Sequence, residues 1–150
     1  MGLREQFERY DVITDEDIAR GIIYTWTLLV VADGKVEQAE MNALKNFAGV
    51  NELTRPFSQP EWLNQTVGEA LSVYRAEGQE ALYPVILELL CNTGPDVRRV
   101  LFYTLMQLAC VDGDFTDREL DVLNRIGDLL DIGKRDFLMM GMLYAAYKDR

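Results

Sequence analysis

The sequence predicts an all-α protein of about seven helices, with two similar helix hairpins related by pseudo-two-fold symmetry. Apolar residues recur along the chain at the spacing of amphipathic helices, and no segment shows the period of two typical of a strand. A pattern of helix, turn and helix occurs twice. The 150 residues are 49% hydrophobic and 27% charged, which is ordinary for one globular domain.

The first part of the chain predicts two helices joined by a tight turn. A helix is expected over about residues 15–32 and ends at Gly34. A shorter apolar pattern with acidic residues at its start predicts a second helix over about residues 37–48. Pro56 and Pro60 then predict a loop, because proline cannot continue a helix. The apolar stripe of the first helix consists of Ile18, Ile22, Ile23, Trp26, Leu29 and Val30.

The rest of the chain predicts five more helices, bounded by glycine, proline and capping residues. Two of them begin with a proline, which is tolerated in a first turn because its missing N–H has no helical partner there. These helices are expected from Pro60 to about residue 76, between Gly78 and Gly94, from Pro95 to Asp112, from Thr116 to Leu130, and from Phe137 to Tyr147.

The repeat is the most informative feature of the sequence. Residues 31–40 align with residues 110–119 at an offset of 112 − 33 = 79 positions. Each copy has an apolar helix, Asp-Gly, an apolar residue two positions after the glycine, a glutamate six positions after it, and an amphipathic helix. We therefore expect one domain over residues 1–150, with repeat halves at about 18–50 and 98–131 and a helical insertion at 51–94.

The repeated turn shares part of its spacing with a calcium-binding EF-hand loop. Asp33 and Glu40 in one copy, and Asp112 and Glu119 in the other, match the fifth and twelfth positions of such a loop. The first and third positions are apolar or cysteine in both copies, so neither copy is a complete EF-hand. If a cation binds, the four carboxylates favour Ca²⁺, Mg²⁺ or Mn²⁺, because oxygen is the only ligand type that the repeat offers, and binding is expected to be weak.

The same acidic residues also have a structural interpretation. Glu119 is spaced for a capping box with Thr116, and acidic side chains at helix starts are stabilised by the helix dipole. Asp33 and Asp112 precede glycines, as turn residues often do. Both the structural and the cation-binding interpretations remain open at this point.

Composition excludes several classes of function. The chain has no histidine, which removes the usual general base and the commonest transition-metal ligand. Its 15 basic and 25 acidic residues give a net charge of −10, which opposes binding to nucleic acid. The two cysteines are expected to be buried, reduced thiols. No apolar run resembles a secretory signal or a membrane span, so a cytoplasmic protein without direct membrane insertion is expected.

The duplicated Asp-Gly-x-apolar-x-x-x-Glu hairpin resembles the TerB-like family, a helical domain named from bacterial tellurite-resistance operons. The resemblance covers roughly residues 18–50 and 98–131. It implies a compact all-α fold with two similar halves, no established enzymatic activity, and binding of divalent metal through the repeated acidic residues. It also implies a role in stress responses together with membrane-associated partner proteins. The family's acidic positions fall on Asp33, Glu40, Asp112 and Glu119.

Three functions follow from these patterns. The first is a non-enzymatic, metal-responsive module that binds a divalent cation through the repeated turn. The second is a metal-free adaptor that docks a partner protein. The third is an all-α nucleotide pyrophosphohydrolase that uses Glu37 and Glu40 around Mg²⁺; it is the weakest, because the chain shows no second such pair with a basic pocket. We therefore expect that the protein is not an enzyme.

Overall fold

The computed structural model describes residues 15–31, 36–90, 103–104, 107 and 117–130. These residues form five α-helices and no strand, which confirms the all-α class for the described part of the chain. Tyr103, Thr104 and Gln107 are helical, as the expected fifth helix requires. The helix expected from Phe137 to Tyr147, and the turns with Asp33 and Asp112, lie outside the described residues.

The observed helices agree closely with the expected ones. They are α1 (Asp15–Val30), α2 (Gln38–Val50), α3 (Pro60–Glu77), α4 (Leu82–Leu90) and α5 (Asp117–Leu129). The loop expected after α2 contains a 3₁₀ helix, Arg55–Phe57, which the proline pattern did not predict. A second 3₁₀ helix, Gln79–Ala81, precedes α4. It follows Gly78, whose φ of +88° ends α3 and is a conformation that favours glycine.

Helix α1 lies at the centre of the fold. Ten of its residues are buried, so it is covered on nearly every side, and its main neighbours are α3 and α4. Helix α5 packs against α1 and α4. One hydrophobic cluster contains side chains from all five helices. The segment between the repeat halves is therefore part of the core, because its buried residues include Leu63, Val67, Ala70, Leu82, Tyr83, Ile86 and Leu90.

The closest approach in this core joins α1 to the end of α4. A Cβ atom placed on Gly21 would lie 2.5 Å from Leu90 Cδ2 and 2.7 Å from Leu90 Cγ. Both residues are buried. A larger side chain at position 21 would therefore force Leu90 to shift within a closely packed core.

Buried threonines satisfy their hydroxyl groups on the backbone. Thr25 Oγ1 donates to the carbonyl oxygen of Gly21 at 2.9 Å, and Thr54 Oγ1 donates to that of Ala48 at 3.0 Å. The second of these bonds ties the segment after α2 to the end of that helix. Both threonines are fully buried, and the hydrogen bonds offset the cost of removing their hydroxyl groups from water.

Candidate functional site

Glu40 lies in the first turn of α2, half-buried, where the repeat predicted it. Helix α2 follows the extended residue Glu37, and Glu40 Oε1 accepts a hydrogen bond from the backbone N–H of Glu37 at 2.9 Å. This bond satisfies one of the backbone donors left without a partner at a helix start. Of the two repeated glutamates, the sequence predicted a capping box only for Glu119 with Thr116, which lies outside the described residues, so the capping bond of Glu40 is an additional observation.

Glu119 lies in the first turn of α5, the equivalent position in the second copy. It is only 8% exposed, so it is the more deeply buried of the two glutamates. Within the described ranges, no three acidic or cysteine side chains lie close enough together to hold a metal ion. Because Asp33 and Asp112 lie outside those ranges, the set of four carboxylates stays a prediction.

Several other positions related by the offset of 79 have matching burial. Leu44 and Leu123 are both buried in the core, at 0% and 1% exposure. Thr25 and Thr104 are buried as well. At the ends of α2 and α5, Val50 and Leu129 are both exposed. The agreement is partial, because Met41 is buried whereas its equivalent, Leu120, is 40% exposed, so the second helices of the two copies share only part of their buried stripe.

A chain of polar contacts joins α1 to α3, and it was not predicted from the sequence. Tyr24 Oη donates a hydrogen bond to Glu69 Oε2 at 3.1 Å, and an Arg20 guanidinium nitrogen lies 3.7 Å from the same oxygen. Arg20 also pairs with Glu16 at 3.4 Å, and Glu16 accepts a hydrogen bond from Trp62 Nε1 at 3.1 Å. Burial, followed by the charge of Glu69, raises the pKa of Tyr24 to about 12.

A second polar contact joins α5 to the start of α4. Two guanidinium nitrogens of Arg125 bind the two carboxylate oxygens of Glu80 at 2.8 and 2.5 Å. The guanidinium carbon also lies 3.8 Å from the centre of the Tyr83 ring. The hydrogen bonds from Arg125 lower the pKa of Glu80, and burial raises the pKa of Tyr83. These groups are engaged with one another, so we assign them to docking of α5.

The repeated sequence gives no signal that the two tyrosines differ in burial. Tyr24-Thr25 aligns with Tyr103-Thr104 at the same offset of 79, yet Tyr24 is 6% exposed and Tyr103 is 36% exposed. The contacts of Glu69 with Tyr24 and of Glu16 with Trp62 leave no sequence signal, because they join residues 45 and 46 positions apart. The Arg20–Glu16 pair is four residues apart, a spacing at which side chains on a helix commonly interact.

The described residues form an all-helical arrangement, and the sequence contains an acidic hairpin motif twice. The sequence model of the family described as tellurite resistance protein TerB matches residues 19–141. Since the match covers most of the chain, this protein belongs to the TerB family. The resemblance drawn from the repeated hairpin is confirmed. No curated protein and no solved structure matches the chain significantly. Within the described residues, no helix has both the length and the apolar character needed to cross a membrane.

Proposed function

We propose that this protein is a non-enzymatic module that binds a divalent cation through its duplicated acidic turn. The observation that carries the proposal is the equivalent placement of Glu40 and Glu119 in the first turns of α2 and α5. Membership of a family described by tellurite resistance supports a stress-response role. The ligands would be Asp33, Glu40, Asp112 and Glu119, completed by backbone carbonyls and water.

The capping bond of Glu40 is compatible with this role. A carboxylate has two oxygens with about four lone-pair sites. The N–H of Glu37 occupies one site on Oε1, so Oε2 can serve as a ligand.

We also propose the finer architecture that the sequence predicts. The two hairpins, at about residues 18–48 and 97–130, are related by an approximate two-fold axis in a bundle of about seven helices. Matching burial of Leu44 with Leu123, and of Thr25 with Thr104, supports this arrangement. A two-fold arrangement would allow both turns to share one cation, whereas separated turns would give two weak sites.

The test is the effect of millimolar Ca²⁺, Mg²⁺ or Mn²⁺ on the melting temperature, together with a calorimetric titration. At about a hundred times the dissociation constant, linkage predicts a stabilisation of roughly 2.7 kcal/mol, or a melting shift on the order of 5–10 °C for a domain of this size. An unchanged melting temperature and no binding heat would contradict the proposal.

Matched variants separate the ligand role from capping. Glu40→Gln keeps an oxygen for the N–H of Glu37, because glutamine also serves at this position of a capping box. We expect it to leave the metal-free melting temperature nearly unchanged and to reduce the shift that the cation causes. Asp112→Asn with Glu119→Gln should act in the same way if one cation is shared. As a control, Glu77→Gln with Asp128→Asn removes the same charge at exposed positions outside the turns. An equal shift in all variants would leave capping as the only role.

Absence of enzymatic activity is part of the proposal. The chain has no glycine-rich phosphate loop, and its net charge of −10 opposes a polyphosphate substrate. We expect no release of phosphate or pyrophosphate from the common nucleoside triphosphates with Mg²⁺ above a buffer blank. Release that disappears in a Glu37→Gln/Glu40→Gln variant would contradict this expectation and favour the pyrophosphohydrolase.

The alternative function is a metal-free adaptor that docks a partner protein. It is supported by exposed apolar side chains among the described residues, namely Val50, Tyr103, Leu120 and Leu129. Val50 is the most exposed of the four, at 78%. The membrane-associated partner and the cytoplasmic location expected from the sequence stay predictions.

A further inference from the structure

A small groove lies between the first turn of α1 and the segment that follows α2. Its volume is about 140 Å³, and its walls are formed by Asp15, Ile18, Glu52, Leu53, Pro56 and Phe57. Four of these side chains are apolar and two are carboxylates. The groove shares no residue with the acidic turns, so its role can be tested separately from cation binding.

The two carboxylates give the groove a negative charge that no ion pair among the described residues neutralises. Within the described part of the chain, neither Asp15 nor Glu52 has a hydrogen-bond or ion-pair partner, and both are exposed. Among the described residues that line the groove, none is basic. Arg20, on the same helix as Asp15, is already paired with Glu16 and Glu69.

The chemistry of the walls decides which ligand fits. Pockets for nucleotides and other molecules of similar size enclose about 300–1,000 Å³, so this groove is too small for them. A metal ion needs more oxygen ligands than two carboxylates supply, and the remaining walls are apolar. A long basic side chain matches both features, because its aliphatic stem packs on apolar surface while its charged end meets carboxylates. We propose that this groove binds an arginine or lysine side chain presented by a partner protein.

The groove is held open by contacts that do not depend on a ligand. The ring of Phe57 packs against Trp62 of α3, with 5.7 Å between ring centres. Trp62 in turn donates its indole N–H to Glu16 of α1 at 3.1 Å. This chain of contacts fixes Phe57 relative to both helices, so a ligand does not have to order the groove when it binds. It also makes Trp62 a natural reporter of occupancy.

The experiment uses the full chain and the peptide acetyl-Ala-Leu-Arg-Leu-Ala-amide, followed by NMR shifts of Leu53 and Phe57 and by fluorescence. We expect saturable shifts with a dissociation constant on the order of 1 mM. The same peptide with citrulline in place of arginine has nearly the same shape but no charge. It should bind about threefold to tenfold more weakly, the range expected when partly exposed ion pairs are lost. Equal binding of the two peptides, or no saturable shift, would overturn the proposal.

Variants show whether the groove itself is the site. Asp15→Asn with Glu52→Gln should weaken arginine-peptide binding about threefold to tenfold. Glu77→Gln with Asp128→Asn removes the same charge elsewhere and should not weaken it, which separates the groove from the general attraction of a chain with a net charge of −10. Equal weakening in both double variants would overturn the proposal. Binding that appears only in an Arg4→Gln/Arg9→Gln variant would also overturn it, in favour of the chain's own N-terminal segment as the occupant.

Discussion

Tyr24 and Tyr103 occupy equivalent positions in the two repeat copies, yet only Tyr24 is buried. One turn later the contrast is sharper, because Leu28 is fully buried and its equivalent, Gln107, is exposed. On the neighbouring face the copies agree, since Thr25 and Thr104 are both inside. The two copies therefore share one core-facing surface and differ on the next.

The inserted segment contacts the first copy at Tyr24. Helix α3 packs against α1, and Glu69 on α3 accepts the hydrogen bond from Tyr24. The position that is exposed in the second copy, at Tyr103, is therefore buried against the insertion in the first copy, at Tyr24. An insertion between two repeats can pack against one copy and become part of its core. That copy then needs apolar residues at positions where the other copy can keep polar ones.

The largest expected change in the free energy of unfolding tests whether equivalent buried positions stabilise both copies. Leu44→Ala and Leu123→Ala each remove a buried side chain at equivalent positions, and each should lower the free energy of unfolding by about 2–5 kcal/mol. Urea denaturation measures both values. Val50→Ala, at a position 78% exposed, is the control and should change stability by less than about 0.5 kcal/mol. A leucine variant as stable as this control would contradict the shared role.

An intermediate effect tests how closely the insertion packs on the first copy. Gly21→Ala places a methyl group against Leu90, and we expect a loss of about 1–3 kcal/mol from overpacking. Gly68→Ala is the matched control, because Gly68 is also helical but has open space around it. That change should stabilise the protein by up to about 1 kcal/mol, since alanine is the better helix former.

A double variant checks the cause of the Gly21 effect. In a Leu90→Ala background the obstructing atoms are absent, so Gly21→Ala should cost much less there than in the unmodified protein. Equal costs in both backgrounds would show that contact with Leu90 is not the reason that glycine is needed.

The smallest expected change in the free energy of unfolding compares Tyr24 with Tyr103. Tyr24→Phe removes the hydrogen bond to Glu69 and should cost about 1 kcal/mol, whereas Tyr103→Phe should cost less than about 0.5 kcal/mol. Equal costs would mean that the insertion does not distinguish the copies.

Titration of Tyr24 gives an independent measurement of the same contact. Its folded pKa of about 12 lies above the ordinary value of 10.0, so the neutral phenol is favoured in the folded state. The resulting stability is fully present below pH 10 and is lost as the pH rises through about 12. Absorbance of the ionised phenol is recorded against pH for the unmodified protein and for the Tyr24→Phe variant. The difference between the two titrations should correspond to one group that ionises near pH 12. Glu69→Gln should lower this pKa, because it removes the carboxylate charge.

Local sequence patterns were sufficient to predict where the helices lie but not which side chains contact one another between helices. The stripe of α1, the proline at the start of α3 and the glycines on either side of α4 allowed these helices to be placed within a few residues. Helix formation depends on spacing over three or four residues, which one sequence displays directly. The capping bond of Glu40 is equally local, since its partner is three residues away. The bond from Tyr24 to Glu69 spans 45 residues, and no spacing rule predicts it.

The sequence by itself determined the all-α class, the order of the helices, the acidic repeat and the family to which the chain belongs. Tertiary structure decided that the inserted helices cover α1, that Arg125 binds Glu80 and that Asp15 and Glu52 share a groove. The reason is physical: periodicity and capping act within one helix turn, whereas these contacts depend on how whole helices pack against one another.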